Sequence, residues 1–106
     1  MSEWIDVIGK HALTNGEHLL VDVAGTAVAV FKVDDNFYAL EDVCTHDGAE
    51  IASGSVEGQE LVCPRHGARF CIKTGAVTAA PAYEAIACFP VRIVGDRVQV
   101  RDDRWD

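Results

Sequence analysis

Residues 44–67 read CTHDGAEIASGSVEGQELVCPRHG, and the rest of the chain is best understood outward from this stretch. It opens on Cys44-Thr45-His46 and closes on Cys63-Pro64-Arg65-His66, with residues 47–62 between the two pairs. Each short spacing lets a thiolate and an imidazole from one tight loop point at a common centre. Both are ligands suited to iron and zinc. Gly48 and Gly67 follow the histidines closely. They let the backbone turn sharply and present amide N–H groups towards bound sulfur. One such pair would be weak evidence. Two mixed pairs, each followed by glycine, point to a metal centre with Cys44, His46, Cys63 and His66 as its candidate ligands.

The surroundings of this stretch fit the same reading. From Asp42 to about Pro81 the chain is rich in Gly, Cys, His and short polar residues. Apolar strand material shrinks there to residues 60–63 and 68–72, so irregular loops are expected. Such loops are costly in conformational entropy unless something ties them down, and a bound metal supplies that tie. On either side the chain reads as strands. Residues 20–23 and 27–31 flank a turn at Ala24-Gly25-Thr26, and Asp34-Asp35-Asn36 is a second turn before a strand at 37–40. Near the end, residues 91–94 and 97–100 are joined by Gly95-Asp96 as a two-residue hairpin loop. No window shows a helical stripe, and His11-Ala12-Leu13 makes at most a short turn. The expected fold is all-β, an antiparallel sandwich or barrel, in one domain of 106 residues.

Composition narrows the function. Asp and Glu number 17 against 9 Lys and Arg, a formal net charge of −8. A nucleic-acid surface is normally basic, so nucleic acid is an unsuitable partner. No apolar run approaches the ~20 residues of a membrane span. The start, from Met1 to Asp6, shows no basic region followed by an apolar stretch, so a cytoplasmic location is expected, where thiols stay reduced. Four cysteines in that setting are ligands or core residues rather than a disulfide framework. No nucleophile elbow or Gly-rich nucleotide loop is present, and the only other histidines are His11 and His18.

With CTHDG at 44–48 and CPRHG at 63–67, followed by Phe70 and Thr74-Gly75, the chain resembles the Rieske iron–sulfur family. Within it, the chain looks most like the small ferredoxins that serve ring-hydroxylating dioxygenases. The resemblance implies a single Rieske domain over 1–106, with a cluster-binding subdomain at approximately 42–81 inserted in a β base. It implies one 2Fe–2S cluster, with Cys44 and Cys63 on one iron and His46 and His66 on the other. Two neutral imidazoles in place of two thiolates remove two negative charges, so the cluster is reduced more easily than an all-cysteine one. Rieske potentials accordingly span roughly −150 to +300 mV. The implied role is that of a one-electron carrier, not an enzyme, passing electrons from a flavoprotein reductase to a terminal non-haem iron oxygenase. A monomer is expected.

High-potential members of the family resemble C-T-H-x-G-C and C-P-C-H-G-S-x-Y, with a disulfide between the two loops. Here the corresponding positions are Ala49, Arg65, Ala68 and Phe70. The disulfide and the two hydroxyl donors are absent, which implies a potential near the bottom of the Rieske range. Two other readings use the same residues. One is the small Rieske subunit of an assimilatory nitrite reductase-like complex. The other is a non-redox zinc module, which the Cys/His set alone allows. An accessory ferredoxin of iron–sulfur assembly is not separable from the oxygenase role by sequence.

The remaining candidates have plainer readings. Cys71 is expected as a small buried residue and Cys88 as a strand core residue, unpaired. His11 and His18 are expected at the surface or in hydrogen bonds. Arg65 could pair with Asp47 or Glu50, or stand solvated. Pro81 is expected in a loop that shields the cluster, or as a turn breaker. Glu41, Asp42, Asp47, Glu50, Glu57 and Glu60 gather around the first ligand pair, either as a docking face or as a solvated one.

Overall fold

The computed structural model describes residues 4–43, 51, 54–63, 67–80 and 85–103. They form eleven strands and, among themselves, no helix: β1 (Ile5–Gly9), β2 (His18–Val23), β3 (Thr26–Val33), β4 (Asn36–Glu41), β5 (Ser55–Glu57), β6 (Glu60–Val62), β7 (Arg69–Cys71), β8 (Val77–Ala79), β9 (Cys88–Phe89), β10 (Val91–Val94) and β11 (Arg97–Val100). Among the described residues the strand pairs are all antiparallel, in three sheets: β1-β11-β10, β2-β3-β4-β9 and β5-β6-β7-β8. The fold is therefore all-β, as expected.

Turn chemistry sets the register of the hairpins. Val23 pairs with Thr26 across a two-residue loop in which Ala24 (φ 53°) and Gly25 (φ 88°) are both left-handed. That backbone twist matches the strands it joins. Asp22 Oδ1 accepts the Gly25 N–H at 2.8 Å and holds the turn. Val33 pairs with Asn36 in the same way across Asp34 and Asp35, also both at positive φ. Val94 pairs with Arg97 across Gly95-Asp96.

The second sheet is the middle layer, and β3 shows why. Its residues 28–31 are all fully buried, because both of its faces are covered. Ala29, Phe31 and Val33 point one way, into a core shared with Leu40, Leu61, Cys63, Phe70 and Ile72. Val28 and Val30 point the other way, into a core with Phe89 and Val100 that Ile5, Val7 and Val91 flank. One core thus joins the middle sheet to β5–β8 and the other joins it to β1, β10 and β11.

Three details differ from the sequence expectation. The strand material expected at 60–63 and 68–72 is joined by two further strands, β5 and β8, in a four-stranded sheet: Glu57 pairs with Glu60 across Gly58-Gln59, and β8 closes on β7. Strands of three residues are too short to show periodicity. β1 was not foreseen as a strand; its partner β11 lies at the far end of the chain. Cys88 does lie in a strand, but it is half-buried against the core, and its neighbour Phe89 is the buried residue.

Candidate functional site

Of the four candidate ligands, Cys63 lies among the described residues; Cys44, His46 and His66 lie outside them, as do Asp47, Glu50, Arg65 and Pro81. Cys63 follows β6 directly. Its N–H donates to the Ala68 carbonyl at 2.7 Å, and its own carbonyl accepts the Gly67 N–H at 3.1 Å. These two bonds tie Cys63 to Gly67 and Ala68, and Gly67 takes the left-handed φ of 73°. Cys63 is 1 % exposed, within the core cluster that contains Leu61, Ala68 and Phe70. A thiolate in such a place needs a cation against it, because burying an uncompensated charge is costly. A donor set of two thiolates and two imidazoles around an iron–sulfur group meets that need.

The positions where high-potential relatives resemble Ser and Tyr are Ala68 and Phe70, and both are buried here. Neither side chain offers a hydroxyl to ligand sulfur. The described residues on either side of 44–50 are also tied to the base. Glu41 N–H donates to Ala87 at 2.9 Å, Asp42 N–H to Ala27 at 2.9 Å, and Asp42 Oδ1 accepts the Ile51 N–H at 3.0 Å.

Thr74-Gly75 marks a third fixed point. The Gly75 N–H donates to the Cys71 carbonyl at 2.7 Å, and the Gly75 carbonyl accepts the Ile86 N–H at 2.8 Å. Gly75 has φ 76°, and a Cβ there would run into the Ile86 carbonyl and stand 3.0 Å from Cys88 Sγ. The turn after β7 therefore packs backbone to backbone on residues 86–88. Cys71, expected buried, is half-buried, and it and Cys88 are both free thiols. The Thr74 side chain holds the Cys71 thiol below its ordinary pKa, while burial, and then the neighbouring Cys71, push Cys88 up.

Two of the acidic residues are paired within the chain. Arg69 pairs with Glu57 at 3.3 Å and with Glu60 at 3.4 Å, so two of the expected surface carboxylates share one guanidinium. His11 and His18 are exposed, and the His18 ring packs against Phe31 with centroids 5.6 Å apart. A groove of about 430 Å³ is lined by Lys10, Asn36, Phe37, Tyr38, Arg92 and Ile93 among others. None of its lining comes from the third sheet, so it is separate from Cys63. Sequence reasoning missed Asp42 as a structural link; its only local signal was its place two residues before Cys44.

Three antiparallel sheets with a buried cysteine directly after β6 define an all-β protein. A model of the Rieske [2Fe-2S] domain matches residues 3–90, and the chain belongs to that family. The ferredoxin component of a naphthalene 1,2-dioxygenase system from Pseudomonas aeruginosa is 37% identical over 98 residues, 92% of this chain and 94% of that protein. The 3-phenylpropionate/cinnamic acid dioxygenase ferredoxin subunit from Shigella flexneri serotype 5b is 38% identical over 81 residues, 76% of each. Among solved structures, the ferredoxin of carbazole 1,9a-dioxygenase from Nocardioides aromaticivorans IC177 superposes with a TM-score of 0.87 at 30% identity, covering 92% of this chain and 95% of that one. The protein is accordingly a Rieske electron carrier with one 2Fe–2S cluster, a carrier component rather than a catalyst.

Proposed function

We propose that Cys44 and Cys63 hold one iron and His46 and His66 the other, within a cluster-binding subdomain at approximately 42–81 set in the β base of a single domain. We further propose that the protein works in the cytoplasm as a monomer, taking one electron from a flavin-dependent ferredoxin reductase and giving it to a terminal non-haem iron oxygenase. The observation that carries this reading is the near end-to-end match to a dioxygenase ferredoxin component, 92% of this chain against 94% of that protein. A solved complex of oxygenase and ferredoxin in carbazole 1,9a-dioxygenase contains a chain 32% identical to this one, matched over 99% of its length with a TM-score of 0.86.

When bound, the cluster supplies a one-electron couple that is neutral oxidised and carries −1 reduced, counting its ligands. The chain's own residues set the conditions for it. Leu61, Ala68 and Phe70 share the buried core with Cys63, and the Cys63 backbone is held by its bonds to Gly67 and Ala68. Ala68 and Phe70 add no hydroxyl donor, so the reduced state lacks that stabilisation and the potential stays low. The absence of a loop cysteine at 49 and 65 leaves the two loops without a cross-link.

The fixed-subunit reading shares this fold. A chain named for the small subunit of an NADH-dependent nitrite reductase, from Mycobacterium tuberculosis, superposes with a TM-score of 0.85, at 24% identity. That likeness is one of fold alone. Rapid mixing of the reduced protein with an oxidised oxygenase of the aromatic-ring class separates the two. The carrier reading expects oxidation of this protein with matching reduction of the oxygenase. Failure with such oxygenases, together with stable co-purification on a large reductase, would establish the subunit reading instead.

A further inference from the structure

Cys44 and His46 lie in sequence between Asp42, just after β4, and Ile51. The Asp42 carboxylate spans that gap, with Oδ1 accepting the Ile51 N–H at 3.0 Å. Asp42 is itself tied to the base, its N–H donating to the Ala27 carbonyl at 2.9 Å, and Glu41 is tied to Ala87 beside it. Ile51 is fully buried in the core that also holds Cys63. Its carbonyl accepts the Gly54 N–H at 2.9 Å, and Gly54 lies so close to Val62 that a Cβ would run into the Val62 carbonyl. Val62 immediately precedes Cys63. One unbroken series of contacts therefore runs from the base sheet through Asp42, Ile51, Gly54 and Val62 to the second ligand loop.

We infer that Asp42 is a positioning residue for the cluster site. Its hydrogen bond to Ile51 clasps the two ends of the first ligand loop, and through Gly54 and Val62 sets that loop's distance from the second. The inference rests on the ligand assignment proposed above. In this chain the clasp takes the place of a covalent link, because no disulfide can join positions 49 and 65. What Asp42 contributes is an oxygen at a given place, not a charge. Asn offers an oxygen at that same place, Glu keeps the charge but moves the oxygen one carbon further out, and Ala removes both.

The experiment uses the holoprotein and its D42N, D42E and D42A variants, with far-UV circular dichroism establishing the β-sheet content of each. Two properties are then read: the rate of cluster loss to an iron chelator, followed by visible absorbance, and the EPR line shape of the dithionite-reduced protein. Outer partners of metal ligands typically affect affinity by about 10–100-fold. D42A and D42E are expected to lose cluster about 10-fold faster than wild type and to show broadened or shifted EPR lines. D42N is expected to retain the wild-type line shape and to lose cluster at a rate within about 2-fold of wild type, since its side-chain oxygen can still accept the bond. If D42A does not fold, the comparison of D42N with D42E decides. Equal behaviour of D42N and D42E, or a wild-type rate in D42E, overturns the inference. A wild-type protein without a Rieske signal overturns the ligand assignment instead, so the two failures are told apart.

Discussion

Gly75 and Gly95 are both left-handed glycines, at φ 76° and 59°, yet they stand in opposite surroundings. A Cβ at Gly95 meets nothing within 4 Å, whereas one at Gly75 runs into the Ile86 carbonyl and presses on Cys88 Sγ. Replacing Gly95 with Ala therefore imposes only the left-handed strain of an L-residue, about 1–2 kcal/mol. Replacing Gly75 with Ala imposes the same strain and also forces the 86–88 segment away. That movement breaks the Ile86 N–H bond to the Gly75 carbonyl, now 2.8 Å, and loosens the Gly75 bond to Cys71; each such bond is worth about 0.5–1.5 kcal/mol. The additional loss is about 2 kcal/mol, a large part of the ~5–15 kcal/mol that stabilises a domain of this size. At roughly 4 °C per kcal/mol or more, G75A should melt at least about 8 °C below G95A. Thermal scans of both holoproteins at one ramp rate, followed by far-UV circular dichroism and by visible absorbance, check this. Equal melting temperatures would refute the claim that close backbone approach is why glycine stands beside Thr74.

Other outcomes follow from the same structure. Cys71, acidified by Thr74, holds more thiolate at neutral pH than Cys88, so iodoacetamide should label Cys71 first, and T74V should slow that labelling; peptide mass mapping reads both. The Asp6 carboxyl is held below the usual aspartate value of 3.8 chiefly by its hydrogen bonds to Arg97, the shortest at 2.7 Å. Its folded pKa is depressed, so the stability it contributes is present above pH 3.8 and fades as pH falls through the lower folded value. In R97Q, NMR titration should find the Asp6 midpoint moved up towards 3.8. If the acidic residues form a docking face, electron transfer to the oxygenase should slow as ionic strength rises, and R69A, which frees Glu57 and Glu60, should steepen that dependence; a rate indifferent to salt leaves them as a solvated surface.

The parts of the fold that were legible in the sequence are those whose signals are local. The loops at 24–25, 34–35 and 95–96 announce themselves through Gly and Asp between apolar runs, and the structure places a two-residue turn at each. β3 was legible as a run of apolar residues, although its burial on both faces is set by the two neighbouring sheets. β1 was not legible, because its partner lies some ninety residues away and leaves no local trace. β5 and β8 were too short for any period to show. At the site, the Cys-and-His spacing was legible because metal ligation constrains residue type. The Asp42 clasp was not, because a carboxylate reaching a backbone N–H nine residues ahead is a property of the folded path.

Iron–nitrogen coupling in the reduced protein tests the central claim most directly. Electron–nuclear double resonance on the dithionite-reduced holoprotein should find two strongly coupled nitrogens, one each from His46 and His66. In H46C or H66C one of those couplings should disappear. A reduced 2Fe–2S signal with no strongly coupled nitrogen would mean four cysteine ligands and would contradict the Rieske assignment.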